Sequence, residues 1–209
     1  MKDRFEQIYK TNEWGHGSGE GSLPVHTKGY VNFINKFLKK YSIKSVVDLG
    51  CGDWQFSRFI NWREALYVGY DLVEQVITFN KAHFSSDKIR FFHYSGDVNE
   101  LPSADLLIAK DVLQHWSNET VAAFLPQLGK YRYSLLTNCV NPGGVTDNKD
   151  ILDGEFRPLE LRRPPFLIAA EEVYSFTNKQ TLTEKYIEKS PIRWLKRTLL
   201  VKQPITKKH

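Results

Sequence analysis

Alternating strand and helix patterns predict an α/β chain, a single domain doubly wound around a mostly parallel sheet of seven strands that ends in an antiparallel strand pair. Three observations carry that expectation. Strand-like runs recur near 45–50, 67–72, 89–95, 104–110 and 133–140, with helical patterns after the first, second and fourth. The first of them, Val46-Val47-Asp48-Leu49, passes directly into an acidic, glycine-punctuated turn, Gly50-Cys51-Gly52-Asp53. A chain of 209 residues has room for one such domain with a sizeable core and little more.

The first segment, residues 1–26, is read as a glycine-rich lid candidate, because Asn12 to Ser22 lacks both helical and strand periodicity. Trp14 and His16 among its glycines are unusual for a spacer and make it a candidate to close over a bound ligand, with Trp14 as cover and His16 or Ser18 meeting a substrate. The domain proper spans 27–190. It opens on an amphipathic helix, since Tyr30, Val31, Phe33, Ile34, Phe37 and Leu38 recur at helical spacing between Thr27 and Lys40. Val46 and Val47 suit a strand buried on both faces, and Gln55 to Ile60 reads as the opening of the next helix. The helix after the fourth strand begins at Ser117-Asn118-Glu119, a capping residue followed by an acid at the positive helix end. Residues 141–166 form a loop rich in Gly, Pro, Asn and Asp, and Glu172–Phe176 with Thr181–Tyr186 reads as the strand pair. A basic tail, 191–209, closes the chain. Its segment Ile192–Leu200 reads either as solvated surface or as a short amphipathic helix.

The chemistry concentrates at strand ends. Asp48 ends the first strand and Asp71 the second, so two carboxylates reach one edge of the sheet, where open α/β sheets bind ligands. The loop departs from the dinucleotide pattern G-x-G-x-x-G, because Gln55 stands where the third glycine would be and Asp53-Trp54 is acidic and bulky. Carboxylates there attract a cationic cofactor and repel a pyrophosphate. Val47-Asp48-Leu49-Gly50-Cys51-Gly52, with Asp71 after the second strand, Ser95-Gly96-Asp97 after the third and Ala104 to Trp116 across the fourth, resembles the class I S-adenosylmethionine-dependent methyltransferases over roughly residues 40–140. The resemblance implies their Rossmann-like methyltransferase fold and S-adenosyl-L-methionine as cofactor. It implies contacts to that cofactor from Asp48, Gly50, Cys51, Gly52 and Trp54, from Asp71 and Leu72, from Asp97 and Val98, and from Lys110. Core packing is the competing reading of Trp54, and helix capping that of Asp48 and Asp71.

Methyl transfer from a sulfonium needs an acceptor held in line and, where that acceptor arrives protonated, a base. His115 is the candidate base and Asp111 the residue that orients it or the acceptor, both following the fourth strand; a packed histidine is the competing reading. Arg157 is the candidate contact for an anionic acceptor, weighed against an ion pair with Glu155 or Glu160. No histidine pairs with acidic neighbours at metal spacing, so no metal is expected. With two isolated cysteines, no signal peptide and no transmembrane run, a reduced cytoplasmic protein is expected. The leading function is methylation of an oxygen or nitrogen of a small, sugar-like or phosphorylated acceptor. An RNA methyltransferase, suggested by the basic tail and a net charge of +5, a nicotinamide-dependent oxidoreductase and a non-catalytic binding module remain as alternatives.

Overall fold

Apolar runs without polar alternation must be covered on both sides, and a parallel sheet with helices on each face does this. The structure, a computed structural model, describes residues 2–140, 143–178 and 194–203. Among them seven strands form one sheet: β1 (Ser45–Leu49), β2 (Leu66–Asp71), β3 (Ile89–His93), β4 (Ala104–Lys110), β5 (Tyr131–Val140), β6 (Glu171–Thr177) and β7 (Leu195–Lys202). Their order is β3-β2-β1-β4-β5-β7-β6. The first five run parallel, whereas β7 lies antiparallel between β5 and β6. The direction of winding reverses between β1 and β4, which opens a crevice at their carboxyl ends.

Among the described residues four α-helices accompany the sheet: α1 (Lys2–Thr11), α2 (Pro24–Lys40), α3 (Glu74–Phe84) and α4 (Asn118–Phe124). Tyr30, Ile34 and Phe37 of α2 pack on Val46, Ile108 and Leu135 of one sheet face. Val121 and Phe124 of α4, with Trp116, pack on Val47, Leu107 and Leu136 of the other. Neighbouring strand residues such as Val46 and Val47 thus serve opposite cores, as a period of two requires. The Ser117 hydroxyl caps α4 by accepting the Thr120 N–H at 3.2 Å.

Three expectations about local structure are corrected. Gln55 to Ile60 makes only a single 3₁₀ turn, Ser57–Phe59, in place of a helix. The Ser57 carbonyl is taken by the Trp62 indole N–H at 2.8 Å, and the Asn61 N–H that a continuing helix would use goes instead to Asn35 Oδ1 at 2.8 Å. Within 191–209, Leu195–Lys202 is a strand inside the sheet, neither an amphipathic helix nor solvated surface. Thr198, Leu199 and Leu200 are buried there. β6 pairs with this strand, while Thr181–Tyr186 lies outside the described residues. The amino-terminal segment begins with α1, whose Phe5, Ile8 and Tyr9 carry a helical spacing that the glycine-rich stretch behind it obscured. Among the described residues no helix is long and apolar enough to cross a membrane.

Candidate active site

At the end of β1 the chain turns through Gly50 and Gly52, both at positive φ (71° and 54°), where side chains would be strained. The turn is held from β2 and α3. The Gly50 and Cys51 N–H groups donate to the Tyr70 carbonyl, Gly52 N–H donates to Asp71 Oδ2 at 2.9 Å, and the buried Asn80 amide donates to the Gly52 carbonyl at 2.7 Å. The other Asp71 oxygen accepts the Val73 N–H at 3.0 Å. Asp48 accepts the Tyr67 hydroxyl at 2.6 Å. Asp48, Asp53 and Asp71 line one cavity together with Leu72 and Tyr94. Burial pushes the Asp48 carboxyl up to about 7, against the Tyr67 hydroxyl and the Lys110 ammonium. Burial likewise pushes Asp71 up to about 6, against the N–H groups of Val73 and Gly52.

The amino-terminal segment forms the opposite wall. Ser18 N–H donates to Asp53 Oδ2 at 3.3 Å, Asp53 N–H donates to Ser18 Oγ at 2.8 Å, and Tyr9 shares a hydrogen bond with the same hydroxyl at 2.7 Å. A Cβ on Gly52 would collide with Ser18 Oγ. The enclosed space is about 80 Å³, well below the roughly 300–1,000 Å³ of small-molecule sites.

Beyond β4 lies a second group of charges. Asp111 adopts a left-handed conformation (φ 59°), and its Oδ2 receives the Lys110 ammonium at 2.6 Å and the Lys196 ammonium of β7 at 2.7 Å. Burial alone would raise the Asp111 carboxyl, but the two ammonium groups outweigh it and hold it down to about 2. His115 follows on a 3₁₀ turn, Leu113–His115. The Glu155 carbonyl, 2.8 Å from Nδ1, can only accept, so Nδ1 carries the proton and Nε2 keeps its lone pair, which accepts the Gln114 amide at 3.3 Å. Burial lowers the pKa of His115 against the pull of that carbonyl, so the ring is neutral at neutral pH. Trp14, Ser18, Asp111 and His115 line both this second cavity and the first, so the two cavities meet at these four residues.

The cavities bring together Asp48, Gly50, Cys51, Gly52, Asp71, Leu72, Lys110, Asp111, His115, Trp14 and Ser18. Five expected residues stand elsewhere. Trp54 is core, held at φ 59° with its ring against Tyr67, Phe84 and Phe91. His16 is exposed, and its carbonyl accepts the Gln55 amide at 2.6 Å. Asp97 caps the 3₁₀ turn Val98–Glu100 through the Asn99 N–H, and neither Asp97 nor Val98 lines the cavity. Arg157 is buried behind the site, where it donates to the Trp116 carbonyl and to Asn118 Oδ1 at 2.9 Å. Among the described residues it pairs with neither Glu155 nor Glu160. Sequence reasoning missed Phe5, Tyr9, Tyr94, Gln114, Phe156 and Lys196. Tyr94 follows a strand end as Asp48 and Asp71 do and could have been found by that rule.

A family model described as an O-methyltransferase domain matches residues 31–134, the stretch holding the glycine turn, Asp71 and the β4 edge. The chain belongs to the class I S-adenosylmethionine-dependent methyltransferases. S-adenosylmethionine is its cofactor, and the residues present suit it: Asp48, Asp53 and Asp71 face the cavity from the β1/β2 side, and Asp53 Oδ1 is buried there without a hydrogen-bond partner. Solved structures share the methyltransferase fold at low identity. Magnesium protoporphyrin IX methyltransferase (ChlM) from Synechocystis PCC 6803 matches with bound SAM at TM-score 0.60 and 15% identity, covering 97% of each chain. With bound SAH it matches at TM-score 0.57 and 16% identity, covering 97% of this chain and 94% of that one. A structure reported for the conversion of a disulfide bond into a thioacetal group during echinomycin biosynthesis matches at TM-score 0.61 and 13% identity, over 97% and 93%. No curated protein sequence matches the chain. A methyltransferase needs no nicotinamide, so the oxidoreductase alternative is set aside, and with it the non-catalytic module.

Proposed function

We propose that this methyltransferase methylates an oxygen of a small acceptor, which enters the second cavity and meets the cofactor at His115. The observation that carries this reading is the junction itself: a neutral histidine, whose Nε2 lone pair accepts the Gln114 amide at 3.3 Å, lines both cavities. Bound in the first cavity, S-adenosylmethionine supplies an electrophilic methyl group on a sulfonium. Asp71 would accept its ribose hydroxyls, Asp53 its ammonium, and Leu72 and Tyr94 would flank its adenine. With the Gln114 amide displaced by the attacking hydroxyl, His115 Nε2 takes its proton, and the Glu155 carbonyl on Nδ1 supports the imidazolium that forms. Phe5 and Trp14, whose rings pack edge-to-face and tilted against His115 at 6.3 and 5.2 Å, keep water from the junction.

The amino-terminal strap acts as the lid. Cofactor entry requires Tyr9 and Ser18 to lift from the glycine turn, because the space they leave is too small. Replacing His115 with Ala should lower turnover about 10²–10⁴-fold while cofactor affinity stays unchanged. Labelled methyl transfer into a panel of hydroxylated and amino acceptors, with calorimetry for cofactor binding, checks this. Parallel loss of affinity and thermal stability would make His115 a packing residue. The RNA alternative loses part of its support, since Lys196 and Arg197 of the basic tail are paired inside the fold with Asp111, Glu160 and Glu172, while Arg193, Lys207 and Lys208 lie outside the described residues.

A further inference from the structure

The second cavity, about 330 Å³, is lined by acceptors that lack donors. Asp111 Oδ1 and Asn178 Oδ1 are both buried without a hydrogen-bond partner. Buried acceptors left unpaired carry a desolvation cost until a donor meets them. Asn178 is only 8% exposed and follows β6, where its N–H donates to the Trp194 carbonyl at 3.2 Å, so its place in the cavity wall is set by the pairing of β6 with β7.

The donors among the lining residues are mostly committed. Gln114 Oε1 accepts the Cys139 N–H at 2.7 Å, which turns the amide nitrogen of the same side chain to His115 Nε2 at 3.3 Å. Lys196 is paired with Asp111 Oδ2 at 2.7 Å. An ammonium carries three donors, so Lys196 retains N–H groups for an uncharged oxygen.

Charge then decides between ligands. A carboxylate entering the cavity would face Glu20, Asp111 and the two unpaired oxygens. An ammonium would face Lys196 and Lys110, which already share the one Asp111 oxygen. A planar, uncharged carboxamide avoids both penalties, because its two N–H groups answer unpaired acceptors and its carbonyl accepts from an ammonium that is already neutralised. The walls suit a flat body beside it. Phe156 and Trp194 pack edge-to-face at 5.2 Å and are 41% and 38% exposed.

Resting on the reading that the methyl acceptor enters this cavity, we propose that the acceptor carries an uncharged primary carboxamide, held through its N–H groups by Asn178 Oδ1 and Asp111 Oδ1 and through its carbonyl by Lys196. Asn178, which lines the second cavity but not the first, is then a specificity-determining residue.

The test uses the full chain and four probes of one shape: benzamide, methyl benzoate, which keeps the carbonyl and lacks the N–H groups, benzoate and benzylammonium. Binding is read by ligand-observed NMR titration with S-adenosylhomocysteine present. Benzamide should bind at least about 10-fold tighter than each of the other three, the change expected from one or two hydrogen bonds. Asn178→Leu should weaken benzamide roughly 10-fold and leave methyl benzoate and S-adenosylhomocysteine affinities where they were. Asn178→Asp keeps an acceptor oxygen and should retain the preference for benzamide over methyl benzoate, which a merely structural Asn178 would not show. Labelled methyl transfer into hydroxy-carboxamides and their methyl esters separates this subsite from the reading it rests on. Carboxamides that bind through Asn178 and take no methyl group would overturn the oxygen-transfer reading and leave the subsite standing. Methylation of amides and esters at equal KM would overturn the subsite and leave that reading standing. No benzamide binding, equal or tighter binding of any other probe, undiminished benzamide affinity in Asn178→Leu, or equal loss in both variants would also overturn the subsite.

Discussion

On the β1/β2 side of the crevice three carboxylates, Asp48, Asp53 and Asp71, face one cavity, and burial pushes Asp48 up to about 7 and Asp71 up to about 6. On the β4/β7 side a single carboxylate, Asp111, lies between two ammonium groups and is held down to about 2. Both sites are buried, so burial does not account for the difference. The first lacks an equal countercharge until a cation arrives, whereas in the second Lys110 and Lys196 already neutralise Asp111. A sulfonium cofactor completes the first. The two sides meet at His115, whose neutral ring lines both cavities.

If the division holds, changes on the β1/β2 side should act on cofactor affinity, and changes on the β4/β7 side on acceptor turnover. Gly50→Val should have the largest effect. It places a β-branched residue at φ 71° and drives a Cβ into Val112, so backbone strain of roughly 1–2 kcal/mol adds to overpacking of roughly 1–3 kcal/mol. Thermal unfolding should shift down by several degrees and cofactor binding should vanish in calorimetry. A variant that still binds normally would detach this turn from the cofactor.

Asp71→Ala comes next, with an expected loss of roughly 1.5–3 kcal/mol in S-adenosylmethionine affinity, the value of hydrogen bonds to a charged group. Acceptor KM should stay constant. Unchanged cofactor affinity in a well-folded variant would remove Asp71 from the site. The strap should give the smallest signal. Chymotrypsin cleavage near Tyr9 and Trp14 should slow when S-adenosylhomocysteine is present, since opening and closing of the segment then depends on the ligand. Identical protection in both states would make the strap a fixed wall.

The same contrast explains what could be read from the chain. The β1/β2 side is assembled from short, contiguous patterns. Val47 to Gly52 specifies a strand, its turn and a carboxylate, and Asp71 repeats the device after the next strand, so the positions were legible from spacing alone. Residues whose role depends on where the backbone aims them were not. Trp54 is adjacent to the glycine turn, yet its left-handed backbone conformation accompanies an indole lodged among Tyr67, Phe84 and Phe91. The β4/β7 side joins Asp111 to Lys196, Asn178 and Phe156, which only the antiparallel insertion of β7 brings together. No local pattern encodes that meeting. Within Ile192–Leu200 the alternation of Lys196, Thr198 and Leu200 is a strand period, but the basic residues made the segment read as surface.

The most direct test of this account is the proton balance of cofactor binding. Titration calorimetry of S-adenosylmethionine in buffers of different ionisation enthalpy, at about pH 6.5, counts protons exchanged with solvent while the cofactor's own amine stays protonated. Asp48 and Asp71 titrate above the ordinary aspartate range in the free protein, and a cation beside them favours their ionised forms. Binding should therefore release protons, and affinity should rise as pH increases through about 6 to 7 and weaken below it. Proton uptake, no exchange, or tighter binding at lower pH would contradict the claim that the buried carboxylates of the β1/β2 side are there to receive a cationic cofactor.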